Sequence, residues 1–256
     1  MNLNATQILV TRPTGQADNL CGLIEQQGGV ALRFPTLEIV EHPPEAAVLA
    51  AASQSDWLIF TSTNAVDFAI KAFNGKMPAL PKIAAVGEAT AQALENAGWR
   101  VDCVPTTEFS SEGLLAEAAL QAVSEKNCFI VRGVGGRDKL EQGLRSRGAK
   151  VAYLEVYRRQ QPTIDNRDLV KQITEQQLDA ITITRIEALQ NLLTMLDSVS
   201  AKQLQTILLV AASHRIAEAA EQLGFKHIAV SQQPTDAAIL ETLTTLFNGE
   251  NSGRRN

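Results

Sequence analysis

Short apolar runs alternate along the chain with stretches whose apolar residues recur every three or four positions. The runs at 8–11, 31–34, 57–61, 83–86, 101–104, 128–132, 151–154, 180–184, 207–210 and 227–230 predict strands. They are nearly continuous in apolar residues, as strands buried on both faces require. Stretches such as 88–97 and 215–223 carry the helical period, and Gly28, Gly98, Gly148 and Gly224 follow such stretches as helix stops. Strand–helix alternation of this kind predicts an α/β protein with parallel sheets covered on both sides. Ten strands divide into two sheets of five, the size of a flavodoxin-like, doubly wound sheet.

The pattern is written twice. Residues 7–36 align without a gap on 127–156, with Arg12 on Arg132, Gly15 on Gly135, Asp18 on Asp138, Leu20 on Leu140 and Gly28 on Gly148. A fainter duplication follows: DWLIFT at 56–61 matches DAITIT at 179–184, and IAAVG at 83–87 matches LVAAS at 209–213. The chain therefore reads A–B–A′–B′, at a period that suits whole domains rather than solenoid repeats. A break at 124–127 would give two contiguous domains. The matched proline-bearing breaks at 38–44 and 158–163 favour a nested division instead. On that division one domain is 43–158, the other joins 1–37 to 163–250, and the linkers are 38–42 and 159–162. The strand order of the middle domain is then a circular permutation of the other. Two such domains imply a cleft where a ligand would sit. The tail, 251–256, is expected to be disordered.

Composition narrows the function. Aromatic residues are 5% of the chain, so the cores must come from Ala, Val, Ile and Leu. The net charge is −5 with no basic run before Arg254 and Arg255, which argues against nucleic acid. No stretch approaches the ~18 apolar residues of a membrane span. The start, MNLNATQILV, has no basic or long apolar leader, so a cytoplasmic protein is expected. Cys21, Cys103 and Cys128 form no CxxC pair and read as reduced core thiols. His42, His214 and His227 lack metal-ligand spacing, so no metal is expected. Gly133, Gly135 and Gly136 begin a GxGxxG-like run that Asp138 interrupts, and GxxxxGK[ST] is absent. No cofactor is expected.

Ligands of doubly wound sheets bind beyond the carboxyl ends of the strands. Here those ends are 11–13, 61–64, 86–88, 106–111, 132–133, 184–185 and 212–214, rich in Ser, Thr and Gly before helices. Such residues serve either as helix caps or, with exposed N–H groups and helix dipoles, as receivers of anions. The chain has two tyrosines, Tyr153 and Tyr157. Tyr157 lies where an A′ strand runs into the second linker. It either packs there or faces a cleft with a phenol that is protonated at neutral pH, its ordinary pKa being ~10.

ILVTRP near the N-terminus, IFTSTNAV at 59–66, AAVGEATAQALENAG at 84–98, FSSEGL at 109–114 and LEVYRR at 154–159 together resemble the uroporphyrinogen-III synthase family. The resemblance covers residues 3–248 and is to a bacterial, stand-alone form. It implies two α/β lobes joined by a two-stranded ladder, with the nested division. It also implies a lyase that closes hydroxymethylbilane to uroporphyrinogen III with loss of water and inversion of ring D through a spiro intermediate, without metal or cofactor. Tyr157 matches the family's VYR tyrosine and is the expected catalytic residue. Ser62 and Asn64 match its FTSxNAV segment, and Arg12 its first strand end, as substrate contacts. Arg132, the repeat partner of Arg12, joins them, with Thr90, Ser110, Ser111 and Ser213 as further contacts. ITRIE at 183–187 departs from the family's small-residue run, which leaves Thr184 and Arg185 unassigned. The resemblance implies a monomer in transient contact with the preceding pathway enzyme. The alternative reading is a non-enzymatic, two-lobed binding protein for a small polyanion.

Overall fold

The computed structural model describes residues 3–136 and 138–253. In chain order the first elements are β1 (Gln7–Val10), α1 (Asp18–Gln26), β2 (Val30–Arg33), β3 (Glu38–Glu41), α2 (Ala46–Ser53) and β4 (Trp57–Phe60). There follow α3 (Thr63–Ala72), β5 (Lys82–Ala85), α4 (Glu88–Asn96), α5 (Ser111–Ala116), a 3-10 turn (Ala118–Leu120), β6 (Asn127–Gly133) and α6 (Lys139–Ser146). The rest are β7 (Lys150–Gln160), α7 (Arg167–Thr174), β8 (Ala180–Ile183), α8 (Ile186–Thr194), α9 (Ser198–Leu204), β9 (Leu208–Ala211), α10 (His214–Gln222), β10 (Ile228–Val230) and α11 (Asp236–Gly253).

The chain divides into two compact units, Met1–Glu38 with Gln160–Asn256, and Ile39–Arg159. Among the described residues each unit holds one five-stranded sheet, ordered β10-β9-β8-β1-β2 in the first and β3-β7-β6-β4-β5 in the second. In the first, β1 pairs in parallel with β2 and β8, placing Ile8 beside Ala180. In the second, β4 pairs in parallel with β5 and β6, placing Trp57 beside Cys128. β1 and β2 are thus completed by β8 to β10, while β6 and β7 are completed by β4 and β5. By the repeat, β2-β1-β8-β9 corresponds to β7-β6-β4-β5, while β10 closes the far edge of the first sheet only and β3 is added beside β7 in the second.

Burial explains the strands. All four residues of β4 and of β8 are buried, because helices cover both sheet faces. In the second sheet Leu58 and Phe60 point into one layer with Val66, Leu94 and Trp99. Trp57 and Ile59 point into the other with Leu114, Leu120 and Leu144. Each large apolar side chain buried in this way contributes about 1.5–3 kcal/mol. In the first unit Ile8, Val10, Ile181 and Val210 are covered by Leu20, Ile24, Leu189, Ile239 and Leu243. Cys21, Cys103 and Cys128 are buried free thiols, and burial raises their pKa values.

Three sequence expectations change. The strand expected at 101–104 is reduced to a single bridge between Ala84 and Cys103. The N–H groups of Asp102 and Cys103 both reach the Ile83 carbonyl, and the Asp102 carboxylate takes the Ile83 N–H at 2.9 Å. That side chain occupies the donor a longer ladder would need. The first linker, 38–42, contains strand β3, which lies beside β7, and β7 itself continues through Arg159 to Gln160. The Gln160 amide donates to the Glu38 carboxylate at 3.2 Å. Finally, α11 carries its helical ladder to Gly253, past the expected start of disorder at 251, since extending a helix is easier than starting one. Residues 254–256 lie outside the described residues. No helix among the described residues is long and apolar enough to cross a membrane.

Candidate active site around Tyr157

Strand β7 departs from regular pairing at one point. Its register with β6 runs residue for residue from Asn127 beside Lys150 to Arg132 beside Glu155, and Gly133 then pairs with Tyr157. Val156 and Tyr157 together oppose one residue, a β-bulge. Strict alternation would put Tyr157 on the face of Tyr153 and Glu155. Instead Tyr157 packs with Leu154 and Val156 in the layer of Phe60 and Val66, while Tyr153 packs against the opposite layer. The carbonyl of Val156, freed by the bulge, accepts the N–H of His42 at 3.0 Å.

The phenol is held on three sides and is 5% exposed. Its ring stacks on Phe68 of α3, with centroids 5.8 Å apart and planes 26° from parallel. Over the other part of the ring lies Gly133, where a Cβ would stand 2.5 Å from Cε2. The hydroxyl lies 3.3 Å from Oγ of Ser62. Ser62 is the N-cap of α3: its backbone is extended, and its Oγ accepts the N–H of Ala65 at 3.2 Å. Asn64 follows in the first turn of the same helix.

Tyr153 has a different environment. Its hydroxyl donates to the Glu141 carboxylate at 2.5 Å. Burial first, and then that carboxylate, push its pKa up to about 12. Arg132 lies over the Tyr153 ring at 4.6 Å. Its Nε donates to the Gly133 carbonyl at 3.2 Å and its Nη2 to the Gly135 carbonyl. Nη1 lies 3.9 Å from Asp138. Gly135 and Gly136 adopt positive φ, which lets the loop curl its carbonyls toward the guanidinium. Arg132, read from the sequence as a substrate contact, is engaged with its own loop.

The remaining expected residues separate between the units. Thr90 is buried in the first turn of α4. Ser110 caps α5, accepting the Gly113 N–H at 3.1 Å and donating to Glu108 at 2.8 Å, and Ser111 is the first residue of that helix. With Ser62, Asn64, Arg132 and Tyr157 these belong to the unit Ile39–Arg159. Arg12 and Ser213 belong to the other. Ser213 opens α10 with an extended backbone and makes no side-chain cap bond, which leaves its hydroxyl out of the helix ladder. Arg12 pairs with Asp236 at 2.5 Å, and both side chains are mostly covered. Its Nε is buried with no hydrogen-bond partner.

Sequence reasoning missed Phe68, Gly133 and Asp236 as parts of these arrangements. Gly133 had a signal, the run of glycines that begins at the end of β6, but it pointed to phosphate binding rather than to space for an aromatic ring. No group of His, Cys, Asp or Glu suited to a metal occurs among the described residues.

The comparisons agree with one another. The family model described as "Uroporphyrinogen-III synthase HemD" matches residues 18–241. The uroporphyrinogen-III synthase of Escherichia coli (strain K12) is 32% identical over 243 residues, 92% of this chain and 99% of its own length. The solved uroporphyrinogen-III synthetase of Helicobacter pylori 26695 superposes with a TM-score of 0.63 at 16% identity, covering 94% of this chain and 99% of that one. A mutant uroporphyrinogen III synthase of the extreme thermophile Thermus thermophilus gives 0.61 at 20% identity, covering 96% and 100%. These two structures share the fold.

Proposed function

The chain belongs to the uroporphyrinogen-III synthase family, and on that premise we propose that Tyr157 supplies the proton with which its substrate sheds water. Members of this family are cyclising hydro-lyases of tetrapyrrole biosynthesis. The observation that carries the assignment is the contrast between the two tyrosines. Tyr153 is tied to a carboxylate, which holds its proton. Tyr157 meets a neutral hydroxyl, Ser62, at a helix start.

The chemistry follows from hydroxymethylbilane. Tyr157 protonates the ring A hydroxymethyl oxygen as the C–O bond breaks, and the pyrrole nitrogen supplies electrons to the electron-poor carbon left behind. Ring D attacks through its substituted α-carbon, forming a spiro intermediate. That intermediate fragments and recloses through the unsubstituted α-carbon, whose proton returns to the phenolate. Atoms balance as one uroporphyrinogen III and one water, and every step is redox-neutral. Free substrate closes without inversion, so the protein's main contribution is to hold rings A and D for the inverted closure.

The substrate's many carboxylates are assigned to donors at strand ends: Arg12, Asn64, Thr90 and Ser213, with Ser110 and Ser111 as further contacts. Arg12 suits the task because its buried Nε still lacks a partner. Arg132 contributes by fixing the loop of Gly133. We assign the protein to the cytoplasm as a monomer that receives a short-lived substrate by transient contact with the preceding enzyme. The deciding experiment supplies freshly made hydroxymethylbilane and resolves the isomers formed. Isomer III in excess of the spontaneous isomer I is expected. Isomer I alone, at the spontaneous rate, would leave only a binding protein for polyanions.

A further inference from the structure

Ser62 has a single proton to give, and it cannot go both to a substrate carboxylate and to Tyr157. A serine hydroxyl offers one donor and two acceptor sites. One acceptor site is occupied by the N–H of Ala65, and the Tyr157 hydroxyl lies 3.3 Å away. In the resting protein either hydroxyl can be the donor of the bond between them. Once Tyr157 gives its proton to the departing oxygen, one arrangement remains: Ser62 Oγ–H must donate to the phenolate.

We propose that Ser62 is a positioning residue for Tyr157, and that its O–H supports the phenolate instead of binding a substrate carboxylate. The proposal rests on the reading of Tyr157 as the proton donor. Three observations carry it. The Tyr157 ring is fixed by Phe68 and Gly133, so its hydroxyl cannot swing to another partner without moving both. The bulge in β7 turns the ring toward α3, the helix that Ser62 caps. Ser62 in turn accepts from Ala65 at the start of a ten-residue helix, so the chain Ala65 N–H, Ser62 O–H, Tyr157 O runs from the positive end of α3 toward the charge that develops. A Ser62 proton given to a substrate carboxylate would be unavailable at the step that needs it.

A double-mutant cycle tests this with the whole chain and hydroxymethylbilane, following isomer III. Ser62→Ala is expected to lower kcat about 10²- to 10³-fold, the scale for losing one donor to a developing oxyanion, with KM within about twofold. In a Tyr157→Phe background the same change is expected to cost less than about twofold, because the two residues then act as one unit. Ser62→Thr restores most of the rate, and Ser62→Asp, which keeps the cap of α3 but cannot donate, is as slow as Ser62→Ala. Should Ser62→Ala fail to fold, Ser62→Asp decides alone, and full activity there overturns the role. A rise in KM at constant kcat, or additive losses in the double mutant, also overturns it while leaving Tyr157 in place. A Tyr157→Phe enzyme at the wild-type rate overturns the reading of Tyr157 instead.

Discussion

Gly133 stands against the ring of Tyr157 so closely that a methyl group in its place would lie 2.5 Å from Cε2. The pressing atoms belong to an aromatic ring that is also stacked on Phe68, so the ring yields only by giving up that contact. Gly133→Ala is therefore expected to displace the phenol. A loss of about 1–3 kcal/mol in stability should accompany a fall in kcat of about tenfold or more. Urea unfolding and isomer III formation measure the two effects. Full activity in a folded Gly133→Ala would show that the ring is not held where it acts.

The two tyrosines should separate cleanly. Tyr157→Phe keeps the ring and its stacking but loses one hydrogen bond, about 1 kcal/mol. Its rate of isomer III formation should drop about 10²- to 10⁴-fold, the usual share of a general acid. Tyr153→Phe loses the bond to Glu141 and should leave the rate nearly unchanged. Equal losses in both variants would count against any special role for Tyr157.

Alkaline pH should destabilise the fold in a defined window. Burial pushes Cys103 and Cys128 up to about 11, and burial with Glu141 pushes Tyr153 up to about 12. In the unfolded chain these groups lose their protons near their ordinary values, about 8.5 for a thiol and about 10 for a phenol. As pH rises through that range the unfolded state holds fewer protons than the folded one, so stability falls with pH. The stabilisation is complete below pH about 8.5 and is lost between there and about 12. Tyr153→Phe should flatten the upper part of the loss, which urea midpoints measured from pH about 8 to about 11 would show. An unchanged slope in that variant would remove Tyr153 from the account.

Arg12 and Asp236 form the pair that ties the end of β1 to the start of α11. Arg12→Lys keeps a charge but loses the planar fork, and should raise KM several-fold with kcat held within about twofold. Asp236→Ala should do the same by leaving the guanidinium unheld, at a cost of about 1–3 kcal/mol. Asn19, whose amide donates to the same carboxylate at 2.6 Å, should become more mobile with it. Unchanged KM in both variants would exclude Arg12 from substrate capture.

What the chain reveals in advance depends on how local the cause is. Strands β4 and β8 are legible because both their faces are buried, which makes every residue apolar or small. The stretch at 101–104 has three apolar residues of four, yet its one carboxylate, Asp102, ends its ladder by occupying the Ile83 N–H. EIVE at 38–41 reads as a polar connection, and its strand character comes from β7, more than a hundred residues away. The caps at Ser62 and Ser110 follow from a serine before a helical pattern. The partner of Ser62 does not, since Tyr157 lies 95 residues on and faces α3 only because β7 bulges. The pairing of Arg12 with Asp236 is likewise a matter of tertiary placement that no spacing announces.

The composition of the two sheets makes the halves of the chain interdependent. The first copy of the repeat, β1 and β2, is completed by β8 to β10 from the second half of the chain, while β4 and β5 from the first half complete β6 and β7. A chain cut in the connection at 121–126 would leave neither piece with the strands of a whole sheet, so the two halves must be present together to fold. The copies part company where the repeat ends, with Tyr157 in one at the position of Leu37 in the other.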